Sequence, residues 1–135
     1  IIQFAFDSDS TNSFLPHNYS QNSVVYSGTH DNDTTIGWYN TAGQTEQHRA
    51  RTYTRSSGEK MHWEFIRLGM ISVSDQAIFP LQDYMGLDGT HRMNVPGTSS
   101  GNWLWRYTTE MLEQVDEEQI KHLADLSNRQ INSNT

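Results

Sequence analysis

A short apolar segment that runs directly into a dense polar cluster is the feature that most constrains the fold of this chain. Residues 24–26, Val-Val-Tyr, have the composition of a strand, and residues 30–33, His-Asp-Asn-Asp, follow within a few positions. In α/β folds with parallel strands, functional side chains collect where the strands end and the loops begin. The pattern therefore predicts a strand that leads into the edge of an active site.

Two other apolar segments are candidates for neighbouring strands. Residues 1–6 are nearly all apolar and predict a strand buried on both faces, as parallel strands are. Residues 77–81 form a third apolar segment, in which Pro80 should end regular pairing because proline has no amide hydrogen to donate.

The rest of the chain predicts helices and one long connection. Residues 60–72 carry apolar side chains at three- and four-residue spacing, which is typical of a core-facing helix, and residues 41–55 predict a polar helix. Near the end of the chain, Asp116 is a candidate helix cap with Gln119 three positions later. The order of strands and helices favours an α/β fold with parallel strands.

Composition excludes several classes of function. The 135 residues carry a formal net charge of −7 and no Lys/Arg cluster, so we expect neither nucleic acid nor a membrane surface as partner. The absence of cysteine fits a cytoplasmic protein and leaves no thiolate metal site. We expect no cofactor and no metal, since the His-Asp cluster has no second, spaced set of ligands.

Several segments, taken together and in order, resemble one enzyme family. Residues 27–38, Ser-Gly-Thr-His-Asp-Asn-Asp-Thr-Thr-Ile-Gly-Trp, closely resemble the signature of the 4-α-glucanotransferases, or amylomaltases, of glycoside hydrolase family 77. Further matches are Ile-Gln-Phe-Ala-Phe (2–6), Phe-Leu-Pro-His-Asn-Tyr (14–19), Ile-Phe-Pro-Leu-Gln-Asp (78–83), Arg-Met-Asn-Val-Pro-Gly-Thr (92–98) and Gly-Asn-Trp-Leu-Trp-Arg (101–106).

The resemblance implies an incomplete (β/α)8 barrel. Residues 1–6, 24–27 and 77–81 would be its sixth, seventh and eighth strands, so that residues 1–127 form part of a catalytic barrel and residues 128–135 a polar tail. A complete barrel needs about 250 residues, and the missing N-terminal part of the barrel is then an expected partner. The resemblance also implies a retaining mechanism on α-1,4-glucans, whose nucleophile and general acid lie upstream, so we expect the isolated chain to be inactive.

The resemblance assigns roles to individual residues. Asp31 matches the family's transition-state-stabilising carboxylate, and His30 beside it matches a donor to sugar hydroxyls. Five more residues are candidates in the surrounding loops: Arg92, Asn94 and Trp103 for substrate binding, and Asn32 and Asp33 for support of the loop. Arg92 could equally pair with a barrel carboxylate, and Trp103 could equally pack against the barrel rim.

Two alternative functions stay open at this stage. The chain could be a non-catalytic α-glucan-binding module, or it could come from an amylase-like glycoside hydrolase of the same superfamily, in which a His-Asp pair also follows the seventh strand. The family points to the cytoplasm, or to a plastid in a plant or alga. The sequence upstream of Ile1, read for two carboxylates at strand ends, would separate these readings.

Overall fold

The computed structural model describes residues 1–130 of this α/β chain. The predicted tail at 128–135 therefore lies, apart from its first three residues, outside the described part. The strands are β1 (Val24–Tyr26) and β2 (Gln76–Ile78), and the helices are α1 (Thr35–Thr41), α2 (Gln44–Thr54), α3 (Met61–Ile71), α4 (Leu81–Tyr84), α5 (Thr109–Glu113) and α6 (Glu117–Leu126). Short 3-10 turns occur at Ile2–Phe4, Pro16–Asn18 and Gly89–His91.

The two strands form a parallel pair, as the order of elements predicted. Val24 lies opposite Gln76 and Tyr26 lies opposite Ile78, and the chain crosses from one strand to the next through α1, α2 and α3. Crossovers of this kind are what parallel neighbours require. The carboxyl ends of both strands consequently lie at the same edge, where the loops after Tyr26 and Ile78 begin.

The strand predicted at residues 1–6 is wrong in its secondary structure, and its predicted burial on both faces is only partly right, because Phe4 is 44% exposed. Ile2–Phe4 is a 3-10 turn, and Ile2 and Phe6 are buried. The amide of Gln3 donates to the carbonyl of Ser27, 3.2 Å away, which docks the turn beside the end of β1. A short apolar segment is buried equally well as a strand or as a turn inside a core, so composition could not distinguish the two.

Helix α3 lies at the centre of the apolar core. The rings of Phe6 and Phe65 stack at 5.6 Å between centroids, and the Trp38 ring lies 5.2 Å from that of Phe65. On its second side α3 contributes Ile66 and Met70 to a cluster that also contains Phe79 and Leu123. The helix therefore holds β2 and α6 together.

The sheet is covered by helices on one face only. Val25 is buried against the core and Ala77 packs on the same side. On the opposite face, Val24 and Ile78 are 41% and 47% exposed. Parallel sheets normally have both faces covered, so this open apolar face is unusual for a finished parallel sheet.

A guanidinium near the end of the described residues fastens α6 to α3. Arg129 Nε donates to the carbonyl of Met70 at 2.7 Å, and Nη2 donates to the carbonyls of Ser72 and Ser74 at 3.1 and 2.7 Å. These carbonyls lie at the end of α3 and in the connection to β2, where helix geometry leaves acceptors unsatisfied. Within residues 1–130, no helix combines the length and the apolar character needed to span a bilayer.

Candidate active site

The loop between β1 and α1 places Asp31 and His30 at the surface of an open cleft. Residues 30 and 31 form a turn, and their side chains are 55% (Asp31) and 54% (His30) exposed. Asp31 Oδ1 accepts a hydrogen bond from Asn94 Nδ2 at 2.7 Å and lies 3.4 Å from His30 Nε2. A carboxylate with one oxygen held and its side chain half exposed is available to a ligand in the cleft.

Arg92 supports the main chain of the same turn. Its Nη2 donates to the carbonyl of Asp31 at 3.0 Å, and its Nε donates to the carbonyl of Asn94 at 3.3 Å. Among the ion pairs between described residues, none involves Arg92. The guanidinium therefore joins the two loops that carry Asp31 and Asn94.

Trp103 closes the cleft on the side of His30. The two rings lie 5.0 Å apart between centroids with an interplanar angle of 43°, and the indole is 54% exposed. Its backbone has a φ of +62°, a left-handed conformation that is rare for a bulky side chain, and its amide donates to the carbonyl of Met93 at 2.7 Å. Strained residues of this kind persist only where the surrounding structure holds them in place, and they are concentrated at functional sites.

The cleft has a volume of about 640 Å³, which is within the range of ligand sites. Its walls come from the loop after β1, the end of β2 with the start of α4, and the loop after α4. The predicted site residues His30, Asp31, Asn32, Asp33, Arg92 and Trp103 line it, and Asn94 reaches Asp31 from the same loop as Arg92.

Asn32 and Asp33 shape the loop. Asn32 Oδ1 accepts from the amide and the hydroxyl of Thr29, at 2.8 and 3.0 Å. Asp33 Oδ1 accepts from the amide of Thr34 at 2.7 Å, and a Cβ built on Gly37 would collide with its carboxylate. Residues 30 and 31 form a turn, so the Asp33 side chain does not share the neighbours of Asp31, as it would if both lay on one face of an extended segment.

A second carboxylate, Asp83 at the third position of α4, lies beneath the loop and was not singled out from the sequence. It is 1% exposed and accepts hydrogen bonds from the hydroxyl of Ser27 and from the amide and hydroxyl of Thr35. Burial raises the pKa of Asp83, against these hydrogen bonds, and the nearby Asp33 raises it further. The sequence did contain one indication of this carboxylate, since Asp83 is an acidic residue two positions after the apolar segment 77–81.

Two further side chains of the family-like segments are bonded within the fold. Trp105 Nε1 donates to His91 Nδ1 at 3.1 Å. His17 bonds Tyr53 Oη at 2.9 Å and the Ser10 carbonyl at 2.9 Å, away from the cleft. Over the described residues, no three His, Cys, Asp or Glu side chains are placed together to hold a metal ion.

Comparison with known proteins assigns the family. The profile of the 4-alpha-glucanotransferase family matches residues 1–112. A 4-alpha-glucanotransferase of Synechocystis is 47% identical over 97% of this chain and 26% of its own length, and one of Thermus thermophilus is 42% identical over 96% and 27%. A chloroplastic/amyloplastic 4-alpha-glucanotransferase of Solanum tuberosum is 43% identical over 93% and 22%. The chain therefore belongs to the 4-alpha-glucanotransferase family.

The fold agrees with this assignment. The solved structure of amylomaltase from Streptococcus agalactiae in complex with acarbose matches 97% of this chain with a TM-score of 0.91 and 32% identity, and the match covers 27% of that chain. The chain spans about a quarter of the length of the relatives it matches.

Proposed function

We propose that residues 1–127 are the C-terminal part of the catalytic barrel of a 4-α-glucanotransferase, which transfers α-1,4-glucan segments between maltodextrins. The observation that carries this proposal is the half-exposed Asp31 carboxylate, held by Asn94 and faced by His30 and Trp103 in an open cleft. Acarbose in the related amylomaltase supports an α-glucan as the ligand of this cleft.

In this proposal β1 and β2 are the seventh and eighth strands of the barrel. Their parallel pairing through a helical crossover and the cleft at their carboxyl ends support the assignment. The exposed Val24 and Ile78 would then face the barrel interior and be covered by upstream strands. The missing partner is the N-terminal part of the same barrel.

The reaction is a double displacement with retention at the anomeric carbon. An upstream carboxylate attacks that carbon while an upstream carboxylic acid protonates the departing glycosidic oxygen, so that a glycosyl-enzyme forms and the first glucan leaves. The 4-hydroxyl of a second glucan then attacks the same carbon, gives its proton to the acid/base group and releases the nucleophile.

The residues of this chain act on the sugar ring during both steps. Asp31 accepts hydrogen bonds from ring hydroxyls, and these bonds strengthen as the ring flattens toward the oxocarbenium-like transition state, which raises the rate. His30 donates to a hydroxyl and Trp103 offers an aromatic face to a sugar. Asn94 and Arg92 contact the donor sugar and hold the Asp31 turn, while Asn32 and Asp33 support the loop.

The proposal is tested by maltotriose disproportionation, followed as release of glucose and formation of longer oligomers. The complete protein should be active, and Asp31→Asn should lower kcat by about a hundredfold or more, because it removes a charge that acts in the transition state. The isolated 135 residues should show no activity, since the bond-breaking carboxylates are absent from them. Full activity of Asp31→Asn, or disproportionation by the isolated chain, would contradict the proposal.

A glucan-binding role for the isolated chain is the second candidate, and one observation favours it. The proposed sugar contacts, Asp31, Asn94 and Trp103, come from this chain alone. Calorimetric titration of the isolated chain with maltoheptaose tests the idea, with Trp103→Ala as the matched variant. Binding that Trp103→Ala abolishes supports it, and heats equal to those of dilution contradict it.

For the cellular compartment we propose the cytoplasm, or a plastid in a plant or alga.

A further inference from the structure

The buried carboxylate of Asp83 has no cationic partner among the residues that the structure describes. In that part of the chain Lys121 pairs with Glu118, and the imidazole nearest to a carboxylate, His30, lies beside Asp31. A buried carboxylate without a counter-charge is costly unless hydrogen bonds hold it. What Asp83 contributes to the fold therefore lies in the three donors that hold it.

The three donors to Asp83 stand at the two ends of the active-site loop. Ser27 directly follows β1 and donates through its hydroxyl. Thr35 is the first residue of α1 and donates through its amide at 2.8 Å and its hydroxyl at 2.9 Å. Asp83 thus joins the beginning and the end of the segment 28–34, which carries His30 and Asp31.

The carboxylate comes from a third element, so the bonds also fix this loop relative to the opposite wall of the cleft. Asp83 lies in α4, and Gln82 beside it donates through Nε2 to the carbonyl of His91 at 3.2 Å. The chain after His91 leads to Arg92 and Asn94, which bond the Asp31 turn from the other side. One short helix therefore holds both the loop of Asp31 and the approach to its partners.

We propose that Asp83 is a positioning residue, which sets the place of the His30–Asp31 turn in the cleft and so governs the transition-state contact of Asp31. This inference rests on the proposed function and deepens it. Displacement of a reacting contact by about 1 Å can cost up to a hundredfold in rate, whereas loop stability alone would leave kcat of the folded enzyme unchanged.

The test is a double-mutant cycle in the complete protein, with maltotriose as substrate. Asp83→Leu should lower kcat by roughly tenfold to a hundredfold and change KM by less than about threefold, because ground-state binding is spread over the whole cleft. When combined with Asp31→Asn, Asp83→Leu should cause little further loss, because the contact that it positions is already gone. Fully additive losses would overturn the proposal.

Matched variants separate positioning from folding. Ser74→Ala removes a buried hydroxyl that bonds Ser23 Oγ at 2.8 Å, at the other end of β1, and should leave kcat unchanged. Asp83→Asn keeps an acceptor and the shape, and should recover much of the loss. If Asp83→Leu fails to fold, the same cycle is run with Ser27→Ala, which removes one donor.

The outcomes distinguish this inference from the proposed function. Full activity of Asp31→Asn shows that the proposed function is wrong, and the positioning role falls with it. Loss of activity in Asp31→Asn together with wild-type kcat in folded Asp83→Leu and Ser27→Ala overturns the positioning role alone.

Discussion

Asp31 is oriented by side chains that lie far from it along the chain. Asn94 Nδ2 bonds its carboxylate from 63 residues away, and Arg92 bonds its carbonyl from 61 residues away. Short contacts of this kind restrict the rotation of a half-exposed carboxylate. The catalytic role proposed for Asp31 consequently depends on Asn94 as well as on the charge of Asp31.

Asn94→Ala tests this dependence in the complete protein. Loss of the 2.7 Å bond should lower kcat for maltotriose by roughly tenfold to a hundredfold, because Asp31 then has several orientations. Asn94→Asp should be at least as harmful, since it places a like charge beside Asp31. The control is Asn18→Ala, which removes side-chain bonds to Ser10 and Asn12 in a distant loop. Equal losses in Asn94→Ala and Asn18→Ala would contradict the prediction.

His62 predicts a pH dependence of stability. Burial lowers the pKa of His62 and the charge of Lys60 lowers it further, and its Nδ1 is buried without a hydrogen-bond partner in the described structure. The unfolded chain then binds the proton more tightly than the folded chain. The folded protein therefore keeps its full stability above pH 6.5, the ordinary pKa of histidine, where His62 is neutral in both states. This stability is lost as the pH falls through the lowered pKa of His62 in the folded protein.

Urea midpoints of the complete protein, measured between about pH 7.5 and 5, check this sign. His62→Phe keeps a ring in the same place and should show a smaller fall in midpoint toward acid pH than the wild type. Lys60→Met should also reduce the fall, because it removes one cause of the lowered pKa. A wild-type midpoint that rises toward acid pH relative to His62→Phe would refute the assignment.

At the scale of elements, the contact between α6 and α3 depends on Arg129. Its guanidinium donates to the carbonyls of Met70, Ser72 and Ser74, a geometry that a planar fork can satisfy and a single ammonium cannot. Arg129→Ala should lower the free energy of unfolding by about 2 kcal/mol, and Arg129→Lys should recover less than half of it. Denaturant titration measures both, with the exposed Arg67→Ala as control. Full recovery by lysine would show that charge alone matters.

Helices with strong local signals could be predicted, and those made by distant contacts could not. The apolar spacing at residues 60–72 predicted α3, and Asp116 accepts from the amide of Gln119 as the cap of α6 requires. Helix α1 was missed, because its Thr-Ile-Gly start has low helix propensity and is held by the Thr34 cap and by Asp83. Asp83 was missed for the same reason, since its partners lie 48 and 56 residues away.

For the whole molecule, the open face of the sheet predicts the behaviour of the chain in isolation. Val24 and Ile78 are exposed on the face opposite the helices, and exposed apolar strands invite association. The isolated 135 residues should bind a hydrophobic dye and elute as oligomers in size-exclusion chromatography. Val24→Thr with Ile78→Thr should reduce both, whereas Leu126→Thr, at an exposed position on α6, should not.

Adding the upstream part of the barrel as a separate polypeptide extends the same prediction. If that part covers the open face, the two pieces should associate, the dye should be displaced and glucose should be released from maltotriose. Oligomers that persist in the presence of the upstream piece would contradict the prediction.

The bonds from Asn94 and Arg92 to Asp31, and from Asp83 to Ser27 and Thr35, also limit how this sequence can be recombined with those of its relatives. Each bond joins a residue before position 36 to one after position 82. A hybrid enzyme whose crossover falls between these positions takes the two halves of every such pair from different parents. Recombination experiments should therefore recover active hybrids mainly with crossovers before residue 27 or after residue 94, because both residues of each bonded pair then come from the same parent.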